Sequence, residues 1–195
     1  MSTLELAANA MMTIAIILAG RNNIHSWWTG IVGCLLFAIL FYGSQLYADV
    51  ALQAFFIASN CLGWWQWLRG AEGKPLPVTR VRLPTVAWMM PIGVLATGAY
   101  GWMLHRFTNA YAPFIDSAVL VFSIFAQLLM MRRKLENWLV WIAVNGVAVP
   151  LYLSRGLHLT AALYAFYFCY AIYSWRLWRK LALVDAPAVL VPERQ

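Results

Sequence analysis

The chain has 195 residues, 63% of them hydrophobic and 11% charged, with a net charge of +7 and a mean hydropathy of +0.69. A soluble globular domain carries about 25% charged residues, so this composition excludes one and points to a helical membrane protein. The basic excess and the eleven Trp would suit a nucleic-acid surface, but the placement of the charges, given below, argues against that reading.

Residues 4–20 form the first apolar run. It has the length of a signal peptide but no basic leading segment, and Arg21 follows it, so it reads as a retained first span. Spans two and three are predicted at 27–43 and 48–68, joined by a short link around Ser44 to Tyr47. The third contains Gln53 and Asn60 and closes on Trp64, Trp65 and Trp67. At 3.6 residues per turn, Gln53, Asn60, Trp64 and Trp67 fall on one stripe. A polar amide is costly in hydrocarbon, so this stripe should face protein or water.

The charged, Pro-containing stretch 69–84 reads as a loop. Span four is predicted at 85–104, span five at 114–131, span six at 137–153 and span seven at 158–178, and the tail is expected to be disordered. In span six, Trp138, Trp141 and Asn145 stand at i, i+3 and i+7 on one face. Asn145 falls at mid-span, where an amide is either glue between helices or part of a site. Trp27, Trp28, Trp65, Trp175 and Trp178 lie at span ends and read as an interfacial belt. Cys34, Cys61 and Cys169 sit in apolar segments without a CxxC, as small packing residues. His25, His105 and His158 fall singly at helix ends, and no metal or cofactor set is expected.

Seven spans place Arg21, Arg69, Lys74, Arg80, Arg82, Arg132, Arg133, Lys134, Arg176, Arg179, Lys180 and Arg194 on one side, with only Arg106 and Arg155 on the other. By the positive-inside rule the N-terminus is expected outside and the C-terminus in the cytoplasm. The basic residues orient the protein, so no nucleic-acid partner is needed to account for them.

Aligned with itself at an offset of 111, the chain matches Arg21 with Arg132, Trp27 with Trp138, Trp64 with Trp175 and Trp67 with Trp178. Spans one to three thus echo spans five to seven, and span four lets both triplets run in the same direction. Such parallel repeats are a transporter architecture with a site near the midplane, although a duplicated membrane anchor would give the same echo. The repeat breaks where Gly30 meets Trp141, Cys34 meets Asn145, Gln53 meets Tyr164 and Asn60 meets Ala171. A single asymmetric ligand would require such breaks.

The segments QLYADVALQAFF (45–56), NCLGWWQW (60–67), RKLENWLVWIAVN (133–145) and YSWRLWRK (173–180) resemble the PnuC family of bacterial vitamin transporters, over nearly the whole chain. The resemblance implies an all-α membrane fold related to the SWEET transporters. Seven transmembrane helices would be arranged 3+1+3: a first bundle in 1–84, a linking helix and outer turn in 85–113, a second bundle in 114–180 and a tail in 181–195. It also implies inner-membrane uptake of nicotinamide riboside by facilitated diffusion, or of thiamine or another unphosphorylated vitamin or nucleoside. A cytoplasmic kinase would retain the substrate without direct contact, and a homotrimer is plausible by the same analogy. Carried over by position, the substrate contacts are Gln53, Asn60, Trp64, Trp138, Trp141 and Asn145.

The residues point the same way independently. Nicotinamide riboside and thiamine are flat-ring cations, which aromatic faces attract by about 0.5–2 kcal/mol, while amides satisfy hydroxyls or a carboxamide without adding charge. Asp49 and Asp116 fall near span ends and no acid is expected at mid-depth, where an ion-coupled carrier would hold its ion. An uncoupled uniporter is therefore expected. An enzyme would need converging catalytic groups, a haem protein a mid-span His, and a channel a continuous polar lining.

Overall fold

The computed structural model describes residues 3–43, 47–70, 76–108 and 111–184, with the side chains of 47–49 and 51 excepted. Seven helices follow one another: α1 (Thr3–Gly20), α2 (His25–Gly43), α3 (Tyr47–Arg69), α4 (Leu83–Phe107), α5 (Pro113–Met131), α6 (Asn137–Ser154) and α7 (His158–Val184). Five of them, α1, α2, α4, α5 and α6, are long and apolar enough to cross a bilayer. At 23 and 27 residues α3 and α7 are no shorter, but their amides, indoles and arginines lower their hydropathy. The protein is an all-α membrane protein.

The helices end near the predicted limits, with two differences. The tail expected from 181 is helical to Val184, and the rest of it lies outside the described residues. The predicted loop 69–84 contains a pinned segment. Thr79 N–H donates to the Arg133 carbonyl (3.1 Å), and Leu135 N–H donates to the Thr79 carbonyl (2.9 Å). Val81 N–H donates to Glu136 Oε2 (2.8 Å) and Lys134 Nζ to Thr79 Oγ1 (2.7 Å). Nonlocal pairing of this kind leaves no trace in local composition.

Six helices form a ring in the order α1, α2, α3, α5, α6, α7, which closes back on α1. The α3/α5 and α1/α7 seams are the thinnest in it. The remaining helix, α4, packs on α5 alone. Gly93 and Gly101, eight residues apart on one face, allow that approach. A Cβ on Gly101 would lie 2.4 Å from the Phe114 ring, and one on Gly93 would lie 2.9 Å from Phe125.

The 111-residue echo has a counterpart in backbone geometry. Both α1 and α5 end in a Schellman turn, with Asn22 (φ 55°) and Arg133 (φ 47°) in the left-handed region. Asn22 N–H donates to Ala19 O and Asn23 N–H to Leu18 O; Arg133 and Lys134 repeat this on Met130 and Leu129, all four bonds at 2.9 Å. Left-handed backbone costs a non-glycine residue about 1–2 kcal/mol. At Arg133 the guanidinium lies 4.1 Å from the centre of the Trp67 ring and bonds the Leu76 carbonyl, which offsets that cost.

Beyond these turns lies a tryptophan core. Trp27 meets Trp67 edge to face (5.2 Å), Trp138 meets Trp178 likewise (5.6 Å), and Trp67 touches Trp178 (6.2 Å). All four are at most 3% exposed. This corrects the interfacial-belt reading for Trp27 and Trp178, whereas Trp28 and Trp65 do face outward. An indole at a helix end has the same sequence signature in either setting. Cys34 is a buried packing residue, but Cys61 and Cys169 are exposed on the helix surface.

Candidate functional site

A cavity of about 810 Å³ lies among the helices, and all seven contribute to its lining. That volume lies within the range of about 300–1,000 Å³ usual for small-molecule sites. Along α5 its lining runs from Asp116 to Met130, about 21 Å at 1.5 Å per residue. Trp27 and Trp138 line the end next to the tryptophan core, while Phe41, Tyr152 and Asp116 belong to the other end.

Of the six residues expected to touch substrate, Gln53, Asn60, Trp138, Trp141 and Asn145 line this cavity. Trp64 does not. It packs against the tryptophan core instead, because it stands only three residues before Trp67 and follows it below the cavity floor. Gln53 and Asn145 are 9% and 5% exposed, and neither side chain has a hydrogen-bond partner among the described residues. Unpaired amides at this burial are expensive unless a ligand or water meets them. The Trp138 and Trp141 indole N–H groups are buried without an acceptor as well, as is that of Trp27.

Sequence reading missed several lining groups. Gln127 on α5 lies within a largely apolar run, yet its Nε2 donates to Asn60 Oδ1 across the α3/α5 seam (3.5 Å). Tyr152, Tyr164 and Tyr167 form a contiguous aromatic wall, with ring centres 4.8 and 5.7 Å apart in that order. Tyr167 Oη also shares a hydrogen bond with Thr13 Oγ1 across the α1/α7 seam (2.8 Å). A tyrosine in an apolar helix signals neither core nor site by itself, so only the ring of helices makes these three legible as a wall.

Most lining residues fall into pairs 111 apart, so the cavity lies between matched faces that carry different chemistry. Gly30 faces Asn60: a Cβ there would lie 3.0 Å from Asn60 Oδ1. The matched pair is Trp141 and Ala171, and all four line the cavity. One face thus holds an amide where the other holds an indole.

The polar groups lining the cavity are neutral except for Asp116, whose carboxylate is bound by Arg155 Nη2 at 2.6 and 2.8 Å. No Lys or Arg lines it among the described residues. No group of three or more His, Cys, Asp or Glu side chains able to hold a metal converges among the described residues. His25 and His158 open α2 and α7, and His105 lies in the last turn of α4.

Comparison with known proteins is consistent with this geometry. Residues 2–180 match the family described as nicotinamide mononucleotide transporter. The nicotinamide riboside transporter PnuC of Escherichia coli (strain K12) is 30% identical over 204 residues, covering 91% of this chain and 85% of that protein. The riboflavin/roseoflavin transporter RibM of Streptomyces davaonensis is 25% identical, covering 95% of this chain and 89% of its own. A crystal structure of the vitamin B3 transporter PnuC superposes with a TM-score of 0.75 at 24% identity, covering 94% of this chain and 83% of that one. These relatives are transporters and not enzymes, and the chain belongs to the PnuC family of membrane transporters.

Proposed function

We propose that the protein carries nicotinamide riboside into the cell by facilitated diffusion, in a 3+1+3 arrangement with α1–α3 and α5–α7 as parallel repeats. All seven helices cross the inner membrane in this reading, with the N-terminus outside and the basic, tryptophan-rich end in the cytoplasm. The triplets rock about the α3/α5 and α1/α7 seams, so that the cavity faces one side and then the other. Phosphorylation by a cytoplasmic kinase then retains the cargo.

The observation that carries this reading is a cavity between matched helix triplets, lined by amides and aromatic rings and, among the described residues, free of lysine and arginine. A ring cation is drawn to indole and phenol faces, and its hydroxyls and carboxamide pair with Gln53, Asn60 and Asn145. A phosphomonoester dianion would find no counterion there and would meet Asp116 instead, which favours the riboside over the mononucleotide of the family's description. The riboflavin-transporting relative favours a second reading, uptake of another unphosphorylated vitamin such as riboflavin or thiamine by the same fold.

Titration of the purified protein with nicotinamide riboside, its mononucleotide, thiamine and riboflavin separates these readings. Saturable binding of the riboside alone is expected. Tighter binding of thiamine or riboflavin would transfer the assignment to that vitamin. In liposomes, accumulation driven by a proton or sodium gradient would overturn facilitated diffusion.

A further inference from the structure

We infer that Gln127 and Asn60 act as one unit that reads the carboxamide of the substrate and rejects a carboxylate in its place. This rests on the riboside reading above and adds to it a residue, Gln127, and an orientation for the cargo.

The hydrogen bonds fix which way each amide points. Asn60 Nδ2 donates to the Phe56 carbonyl (2.8 Å), which can only accept. Asn60 must therefore turn its oxygen towards Gln127, and Gln127 must answer with its nitrogen (3.5 Å). Gln127 Oε1 has no donor among the described residues. It also does not belong to the buried polar atoms left without a partner, so it is open to the cavity. The pair presents an acceptor, Gln127 Oε1, beside the remaining N–H of each amide. A primary carboxamide carries the complementary set, one carbonyl and an NH2. A carboxylate has acceptors only and would set an anionic oxygen against Gln127 Oε1.

The opposite seam lacks this device. The positions matched to Asn60 and Gln127 are Ala171 and Ile16, both lining the cavity and both apolar. The matched positions on the α1/α7 seam therefore offer no second copy of this paired donor and acceptor set, so a carboxamide read by the pair is oriented towards the α3/α5 seam. Gly30 leaves room for Asn60 there: a Cβ at this position would lie 3.0 Å from Asn60 Oδ1, close enough to require a small shift of the amide.

The test compares nicotinamide riboside, nicotinic acid riboside and the pyridinium riboside without a carboxamide, titrated against the full chain and Gln127→Met. The full chain should bind the first best. Gln127→Met should weaken it by about tenfold to a hundredfold, leave the pyridinium riboside unchanged and abolish the preference over nicotinic acid riboside. Equal weakening of all three ligands, or no change in any, overturns the assignment to Gln127. Failure of the full chain to bind any riboside overturns the riboside reading itself, a separate outcome. If Gln127→Met does not fold, Gln127→Glu, of nearly the same shape, carries the same comparison, and an unaltered preference for the carboxamide would overturn the inference.

Discussion

Trp67 and Trp178 are related by the 111-residue echo, and each donates its indole N–H to the carbonyl of the last residue of another helix. Trp67 Nε1 reaches Met131 O on α5 (3.2 Å), and Trp178 Nε1 reaches Gly20 O on α1 (3.1 Å). The acceptors are themselves 111 apart. The two rings touch each other, so one contact and two reciprocal bonds join both seams of the ring at one point.

Trp67→Phe and Trp178→Phe should therefore lower stability by similar amounts. Each removes a donor and leaves a buried carbonyl unpaired, a loss of about 1–3 kcal/mol. Thermal unfolding in detergent should show comparable falls in midpoint. A fall for one and none for the other would mean that the two bonds are not equivalent supports.

The core around these rings is tight enough for a single methyl to register. A Cβ on Gly63 would lie 2.3–2.8 Å from three atoms of the Trp27 ring. Gly63→Ala must displace that indole from its contact with Trp67, an overpacking cost of about 1–3 kcal/mol. A Cβ on Gly98, by contrast, meets nothing within 4 Å, and Gly98→Ala should be neutral or stabilise α4 by up to about 1 kcal/mol. Unfolding midpoints of the two variants should move in different directions or differ clearly in size.

Asn145→Leu and Trp141→Leu should abolish ligand binding while leaving the fold intact. Asn145 has no partner for its amide among the described residues, so removing it breaks no hydrogen bond there, and Leu fills a similar volume. Trp141 lines the cavity with its N–H unpaired. Titration alongside an unfolding curve distinguishes loss of contact from loss of structure. Unchanged affinity in both variants would make these residues scaffold.

The sequence reading reached some of this and not the rest, for physical reasons. Trp67 and Trp178 were legible as a repeat because indoles are rare enough for their alignment to carry information. Their burial was not, since an indole at a span end suits either a lipid interface or a protein core. Asn60 and Asn145 stood out because amides are costly in hydrocarbon. Gln127 carries the same cost and breaks the repeat in the same way, against Ile16, but α5 has no Trp and no second amide to form a stripe with it, so nothing in the local pattern marked its face. The order of helices around the ring had no local signature, and without it neither the Asn60–Gln127 contact nor the tyrosine wall could be assembled.

At the other end of the cavity, the Asp116–Arg155 pair ties the start of α5 to the end of α6. Their side chains are 28% and 26% exposed, and Arg155 also lies 5.7 Å from the centre of the Tyr111 ring. Asp116→Asn would leave the guanidinium half-buried without its counterion. A partly buried, two-oxygen contact of this kind is worth about 1–2 kcal/mol, less than a fully buried pair because water still screens it. The unfolding midpoint should fall accordingly, and the difference between Asp116→Asn and the natural chain should shrink at high salt. Asp116→Asn together with Arg155→Gln should recover part of the loss, because no unpaired charge remains. A double variant as unstable as the sum of the single changes would mean that the two side chains support the fold independently.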